Sequence, residues 1–260
     1  MTPAILRYGA FTTDPAGGNP AGVVLDARGL DAAAMQRIAA DVGYSETAFL
    51  SPRADGDLDV RYFSPLAEVS FCGHATIAAM VAQARVHGPG DVVLHTQAGR
   101  VPVTVDAGFA ATLTSVPPRT APIDAADLDA LLATLGWRHD ELDAALSPGL
   151  AYAGAWHPVI AAASRARLAD LYYDFDALAA LMKARGWTTI NLVWRADAQT
   201  LHARNPFPPG GVVEDSATGA AAAALGAYLA SHDLLPASRA FTIHQGHDIG
   251  RPSLLEVEVP

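Results

Sequence analysis

The chain has 260 residues, 51% apolar and 17% charged, enough to bury a sizeable core in one large domain or two ordinary ones. Its formal net charge of −10 argues against a nucleic-acid partner, which would want a basic face. Its one cysteine, Cys72, excludes an intrachain disulfide and a multi-cysteine zinc site and fits a reducing compartment. The N-terminal segment MTPAILRYGAF has no basic stretch leading into a long apolar core, and no apolar run has the length of a membrane span. A cytoplasmic protein with no signal peptide is therefore expected.

Residues Ile5 to Phe11 read as a first strand. A glycine-rich turn from Asp14 to Gly22 leads to a second strand, Val23 to Leu25. Within that turn Asn19 is either ordinary loop or an amide pointing into a site, and spacing does not separate the two. Asp31 is a candidate N-cap for a helix from Ala32 to Val42, with Met35, Ile38 and Val42 on its apolar face and Gly43 as its stop. A strand from Thr47 to Leu50 follows, opened by Ser45 and Glu46. Glu46 is either an exposed acid at a strand end or a partly buried carboxyl. Burial would raise its pKa and make it a proton carrier near neutral pH.

The next stretch organises the rest. A short strand, Val60 to Phe63, turns at Ser64-Pro65 and reaches a tight turn at Cys72-Gly73-His74, which opens an apolar helix. A turn opening a helix leaves backbone N–H groups without internal partners, and with the helix dipole behind them these make an anion site. Gly73 lets a ligand approach the backbone, and Cys72 and His74 place two reactive side chains at the same point. Three strands come next, Val92 to Gln97, Val101 to Val105 and Ala110 to Leu113, separated by Gly99 and Gly108. Val116-Pro117-Pro118 marks the end of a first lobe.

The second half opens with a helix from Asp127 to Leu135. A strand from Tyr152 to Ala161 is expected to be interrupted at His157-Pro158, and a helix follows from Phe175 to Arg185. Strands Ile190 to Trp194 and Leu201 to Arg204 precede a stiff turn at Pro206 to Gly211. The helix from Ala220 to Ala230 is apolar nearly all round and should be the buried axis of its lobe. Asp215, just ahead of it, is either an N-cap or dipole-complementing acid, or an acid aimed into a cleft. The tail carries strands Phe241 to Gln245 and Leu254 to Val259. His244 and His247 are not spaced to share a helix face, so no metal pair is expected there.

Phe63-x-Pro65 recurs as Phe207-x-Pro209, 144 residues later, and Ala78-Ala79 recurs as Ala222-Ala223 at the same offset. Cys72-Gly73-His74 then falls opposite Ser216-Ala217-Thr218, and Gly43 to Glu46 opposite Gly186 to Thr189. Either a duplication or chance similarity of two strand–turn–helix units accounts for this. A duplication implies two similar lobes with a ligand site in the cleft, faced by two helix N-termini. The lobes read as residues 1–117 and 118–260, with the C-terminal strand a candidate to pack back onto the first.

Six groups of residues, in this order, carry a resemblance. They are Phe11-Thr12 with Gly18 to Gly22, Ser45 to Phe49, and Phe63-Ser64-Pro65 with Glu68. Then come Cys72 to Thr76, Glu214-Asp215-x-x-Thr218-Gly219, and Gln245-Gly246 with Gly250 to Ser253. Together they resemble the PhzF-like isomerase family of phenazine biosynthesis, within the diaminopimelate epimerase fold group. The resemblance implies an α+β fold of two pseudo-symmetric lobes, each a mostly antiparallel or mixed sheet wrapped around a central buried helix. It also implies a homodimer that acts on a small anionic substrate and needs no metal or organic cofactor. The implied reaction is like that of trans-2,3-dihydro-3-hydroxyanthranilate isomerase, with Glu46 as acid and base and with His74 and Asp215 handling protons or orienting the substrate. Asn19, Ser45, Cys72, Gly73, Ser216, Gly219 and Ala220 are the implied substrate-binding positions.

Moving a proton between two carbons needs one group that accepts and returns it, a task suited to a buried glutamate without a close cation. Two positions depart from the family. Ala220 stands where its best-known sequence has a serine, and Ser216 where a proline is frequent. In the epimerase and racemase relatives two cysteines face an α-carbon; Cys72 stands at the first of those positions and Ser216 at the second. A Cys72-dependent epimerase, racemase or dehydratase of a cyclic amino acid is thus one alternative. A non-catalytic small-molecule-binding protein is another.

Overall fold

The computed structural model describes residues 3–260; Met1 and Thr2, at the head of the segment read for a signal peptide, lie outside the described residues. The chain forms two compact units, the first ending at Thr114 and the second running from Ser115 to Pro260.

In the first unit β1 (Leu6–Ala10) and β2 (Asn19–Val24) lead to α1 (Ala32–Val42), then β3 (Glu46–Pro52), β4 (Leu58–Phe63) and the two-residue β5 (Glu68–Val69). Helix α2 (Gly73–His87) and strands β6 (Gly90–Thr96), β7 (Gly99–Val105) and β8 (Ala111–Leu113) complete it. The sheet order is β1-β2-β3-β4-β6-β7-β8, with β5 paired to β4. Two neighbouring pairs are parallel, β2 with β3 and β4 with β6, and a parallel step needs a crossover. Helix α1 supplies the first crossover and α2 the second.

Residue alternation along β3 assigns the two faces. Ala48 and Leu50 join the core around α2, with Tyr62, Met80, Leu94 and Val103. Phe49 points the other way, into a smaller cluster with Met35 and Ala39 of α1 and with Val24 and Phe63. Helix α1 is fixed at both ends by local chemistry. The Asp31 carboxylate accepts from the Ala34 N–H, and Gly43 ends the helix at φ 72°, where a side chain would be strained.

The second unit contains β9 (Arg119–Pro122), α3 (Ala125–Leu135), β10 (Gly149–Tyr152), β11 (Trp156–Ala161), α4 (Arg165–Ala169) and α5 (Phe175–Arg185). It continues with β12 (Asn191–Arg195), β13 (Thr200–Phe207), β14 (Val212–Asp215), α6 (Gly219–Ser231), β15 (Ala240–Gln245) and β16 (Ser253–Glu258). The sheet order is β16-β15-β13-β12-β11-β10-β9, with β14 paired to β13. The parallel pairs are β11 with β12 and β13 with β15, so β10 to β16 repeat β1 to β7 in order and direction. Helix α6 is the buried axis expected of it, with Ala221, Ala224, Leu225, Tyr228 and Leu229 inside. Its Tyr228 hydroxyl donates to the Ser147 carbonyl at 2.9 Å. That close approach requires a glycine in β10, because a Cβ on Gly149 would lie 2.0 Å from the hydroxyl oxygen.

The repeat keeps one frame through half of each unit and then loses it. Helices α1 and α5 are both 11 residues, capped by Asp31 and Asp174 and closed by Gly43 and Gly186, 143 positions apart. The strands after them keep that spacing, since Thr47 faces Phe63 and the Ile190 N–H donates to the Pro206 carbonyl. The connection that follows is three residues longer in the second unit, since Phe63 pairs with Glu68 and Pro206 with Glu214, and α2 and α6 start at Gly73 and Gly219, 146 positions apart. In the helix frame Cys72 therefore corresponds to Thr218, and not to Ser216 as the motif offset suggested.

Two other expectations are corrected. The break expected at His157-Pro158 lies at residues 153–155, and both residues sit within β11. The last strand, β16, pairs with β15 in the second sheet instead of joining the first. Strand β9 and helix α4 were not foreseen. Among the described residues no helix is long and apolar enough to cross a membrane.

Candidate active site

The residues singled out in the sequence fall into two groups, one in each unit. In the first unit Cys72 is the N-cap of α2, and Gly73 and His74 form its first turn. A buried polar strut holds this turn. The Thr76 hydroxyl donates to the Cys72 carbonyl at 2.7 Å, which leaves its oxygen to accept from the Tyr62 hydroxyl at 2.6 Å. Burial raises the Tyr62 pKa, so the phenol keeps its proton for that bond. The strut runs from the end of β4 to the head of α2 and fixes where Cys72 and His74 lie.

Glu46 opens β3, where it pairs with Ala21 of β2. Its carboxylate Oε2 lies 3.4 Å from Nε2 of His74, with the two side chains 16% and 8% exposed respectively. Ser45 Oγ is 3.3 Å from the same nitrogen, and Cys72 Sγ is 3.3 Å from Nδ1. We assign the tautomer with hydrogen on Nε2, which lets the ring donate toward Glu46 and accept from the thiol at Nδ1. Glu46 is thus partly buried, as one reading of the sequence held, but it is not remote from basic groups. Asn19 is the first residue of β2, buried, two positions before the Ala21 that pairs with Glu46.

In the second unit Asp215 ends β14, and α6 begins at Gly219 and Ala220. The N-cap of α6 is Thr218, so Asp215 is not the capping residue. Its carboxylate instead accepts from the Thr218 hydroxyl at 2.7 Å. Gln245, buried at the end of β15, clamps this turn with both ends of its amide. Its oxygen accepts from the Thr218 N–H at 3.1 Å, and its nitrogen donates to the Asp215 carbonyl at 2.8 Å and to Thr218 Oγ1 at 3.0 Å. Because Thr218 Oγ1 receives the amide hydrogen, its own hydrogen is left for Asp215, and the aspartate is held as an acceptor. Gly246, at φ 75°, allows the close packing that this needs; a Cβ there would lie 2.7 Å from the Ser216 carbonyl oxygen. Ser216 itself is buried in the clamped turn. Beside it, Glu214 is buried against Arg204, whose guanidinium donates to the carboxylate at 2.5 to 3.2 Å.

Sequence reasoning assigned no role to Tyr62, Thr76 or Gln245. The first two lie 14 positions apart with no motif between them, and Gln245 reaches Asp215 only through the parallel crossover from β13 to β15. A signal for Gln245 did exist: the Gln245-Gly246 pair is one of the residue groups behind the family resemblance.

A protein family described as phenazine biosynthesis-like protein matches residues 8–260. The chain is 34% identical to an uncharacterized isomerase of Escherichia coli O157:H7, across 100% of this chain and 91% of that protein. It is 30% identical to the trans-2,3-dihydro-3-hydroxyanthranilate isomerase of Pseudomonas aeruginosa, across 94% of this chain and 86% of that one. The crystal structure of a phenazine biosynthesis protein of the PhzF family from Bacillus anthracis matches with a TM-score of 0.86 at 26% identity, covering 97% of this chain and 88% of that one.

Proposed function

The chain belongs to the phenazine biosynthesis-like protein family, and from that premise we propose that it is a cofactor-independent isomerase moving a proton on a small conjugated or cyclic anionic substrate. The observation that carries this reading is the partly buried Glu46 carboxylate, 3.4 Å from His74 Nε2. Glu46 takes a proton from a substrate carbon and returns it to another. The ring N–H of His74 steadies the carboxylate while it does so. Donors at the head of α2, near Gly73, stabilise charge that develops on a substrate carboxylate or enol. Asp215, held as an acceptor by Thr218, is a proposed orienting or proton-handling group of the second unit. The proposal extends to a homodimer, which sedimentation equilibrium tests directly.

A second reading rests on Cys72 Sγ, 3.3 Å from His74 Nδ1. A thiol beside an imidazole and a helix N-terminus is placed to act as a base, as an epimerase or racemase of a cyclic amino acid requires. Purified protein incubated with trans-2,3-dihydro-3-hydroxyanthranilate, and separately with cyclic amino acids followed by polarimetry, decides between the two. Loss of the substrate's conjugated absorbance supports the proposal. Optical rotation changing only with a cyclic amino acid replaces it with the second reading.

A further inference from the structure

We propose that Ser45 is a positioning residue of the reaction, the acceptor that takes over the ring N–H of His74 while the Glu46 carboxylate is away at the substrate. This rests on the proposed role of Glu46 as the proton carrier. With Nδ1 of His74 turned to Cys72 Sγ at 3.3 Å, the neutral ring presents its hydrogen at Nε2. Two acceptors share that hydrogen, Ser45 Oγ at 3.3 Å and Glu46 Oε2 at 3.4 Å. Both distances exceed the roughly 2.9 Å of a two-centre N–H···O bond, so the carboxylate is oriented without being locked. The glutamate side chain is long enough to swing toward a substrate carbon, whereas the serine hydroxyl, carried directly on its Cβ, stays beside the ring. A departing carboxylate would orphan the N–H of a side chain that is 8% exposed, and a buried donor without an acceptor is costly. The Ser45 hydroxyl oxygen accepts that N–H until Glu46 returns, and no proton leaves the ring in the exchange.

Cys72 cannot perform this service, because its Sγ lies 3.9 Å from Nε2 and nearer to Nδ1. The second unit shows the same positions without the task. In the frame set by Gly43 and Gly186, Ser45 and Glu46 correspond to Thr188 and Thr189. Thr189 Oγ1 lies 2.9 Å from Nδ1 of His157 and accepts from Asn205 Nδ2 at 3.0 Å, with all three residues buried. Those are bonds of ordinary length between short side chains with nowhere to swing. The long, shared contacts at His74 Nε2 belong to the counterpart that carries a carboxylate, and that carboxylate's side chain is 16% exposed.

Ser45→Ala should lower kcat on trans-2,3-dihydro-3-hydroxyanthranilate about tenfold, a step of about 1.4 kcal/mol, with KM unchanged. Ser45→Thr keeps the hydroxyl and should recover most of the loss. Because Ser45 acts through His74, Ser45→Ala should cause no further fall in the His74→Phe background. A fall that persists in that background, or a loss seen in KM instead of kcat, overturns the proposal; circular dichroism checks that each variant is folded. A measurement without substrate separates the role of Ser45 from the choice of reaction. In protein carrying isotope-labelled histidine, nitrogen NMR follows the Nε2–H of His74, assigned by its absence from His74→Phe. That hydrogen should exchange slowly with water in the unmodified protein and in Glu46→Ala. Adding Ser45→Ala to Glu46→Ala should speed its exchange at least about tenfold. Equal exchange with and without Ser45, or no protected Nε2–H in the unmodified protein, overturns the proposal. A protein inactive on the test substrate refutes that substrate and leaves the exchange rates to decide the role of Ser45.

Discussion

Nε2 of His74 faces a carboxylate oxygen of Glu46 across 3.4 Å, in a site where both side chains are largely withdrawn from water. One ring N–H is therefore placed to orient the carboxylate, and the imidazole needs no charge to do so. Replacing His74 with Phe should lower kcat by about 100-fold, at the lower end of what positioned acid–base groups contribute. His74→Gln keeps a donor and should recover part of that loss. Steady-state kinetics on the isomerisation substrate would show kcat falling with little change in KM; the opposite pattern would make His74 a binding residue only.

The strut from Tyr62 through Thr76 to Cys72 predicts a stability effect close to the site. Thr76→Val preserves the shape of the side chain but leaves the buried Tyr62 hydroxyl without its acceptor, at a cost of about 1–3 kcal/mol. Urea denaturation should show an earlier midpoint with the slope unchanged. Tyr62→Phe combined with Thr76→Val should recover part of the loss, because no hydroxyl is then left orphaned.

Gln245 should matter more than its distance in sequence from Asp215 suggests. Gln245→Leu leaves the Thr218 N–H and the Asp215 carbonyl without this partner and should cost at least about 2 kcal/mol. It also frees the Thr218 hydroxyl to point away from Asp215. Urea denaturation should show an earlier midpoint for this variant, and an unmoved midpoint would mean that the amide does not hold the turn.

His157 gives the fold a pH dependence of its own. It is fully buried in β11, and burial lowers its pKa from 6.5 to about 4. As pH falls through 6.5 the unfolded chain takes up a proton that the folded chain refuses. The folded state is thus at full strength above pH 6.5 and loses stability down to about pH 4, below which both states are protonated. A shift of this size corresponds to about 3 kcal/mol. Urea midpoints measured across that window should fall steeply for the unmodified protein and less steeply for His157→Gln, whatever the variant's stability at neutral pH.

Local chemistry made some elements readable and left others hidden. Helices α1 and α5 were legible to the residue because each has an aspartate cap and a glycine in the left-handed conformation, signals that act within one turn. Helix α6 was legible as a buried axis because its alanines and leucines leave no polar face. Ser45, Glu46, Cys72 and His74 could be named from motifs, and the structure brings their side chains together. Strands β5 and β14 are too short for any periodicity to register, and β9 carries a charged, proline-ended sequence that reads as loop. The frame shift between Cys72 and Ser216 was hidden because the three added residues lie in the connection from Pro206 to Glu214, where no periodicity marks an insertion.

The central claim is that Glu46 carries the proton. Turnover of trans-2,3-dihydro-3-hydroxyanthranilate in deuterated water, followed by mass spectrometry of the product, tests it most directly when the unmodified protein, Glu46→Gln and Cys72→Ala are run side by side. The account predicts product from the unmodified protein, a fall of at least about 100-fold in Glu46→Gln, and product still forming in Cys72→Ala. Turnover that survives Glu46→Gln and disappears in Cys72→Ala would contradict it and transfer the chemistry to the thiol.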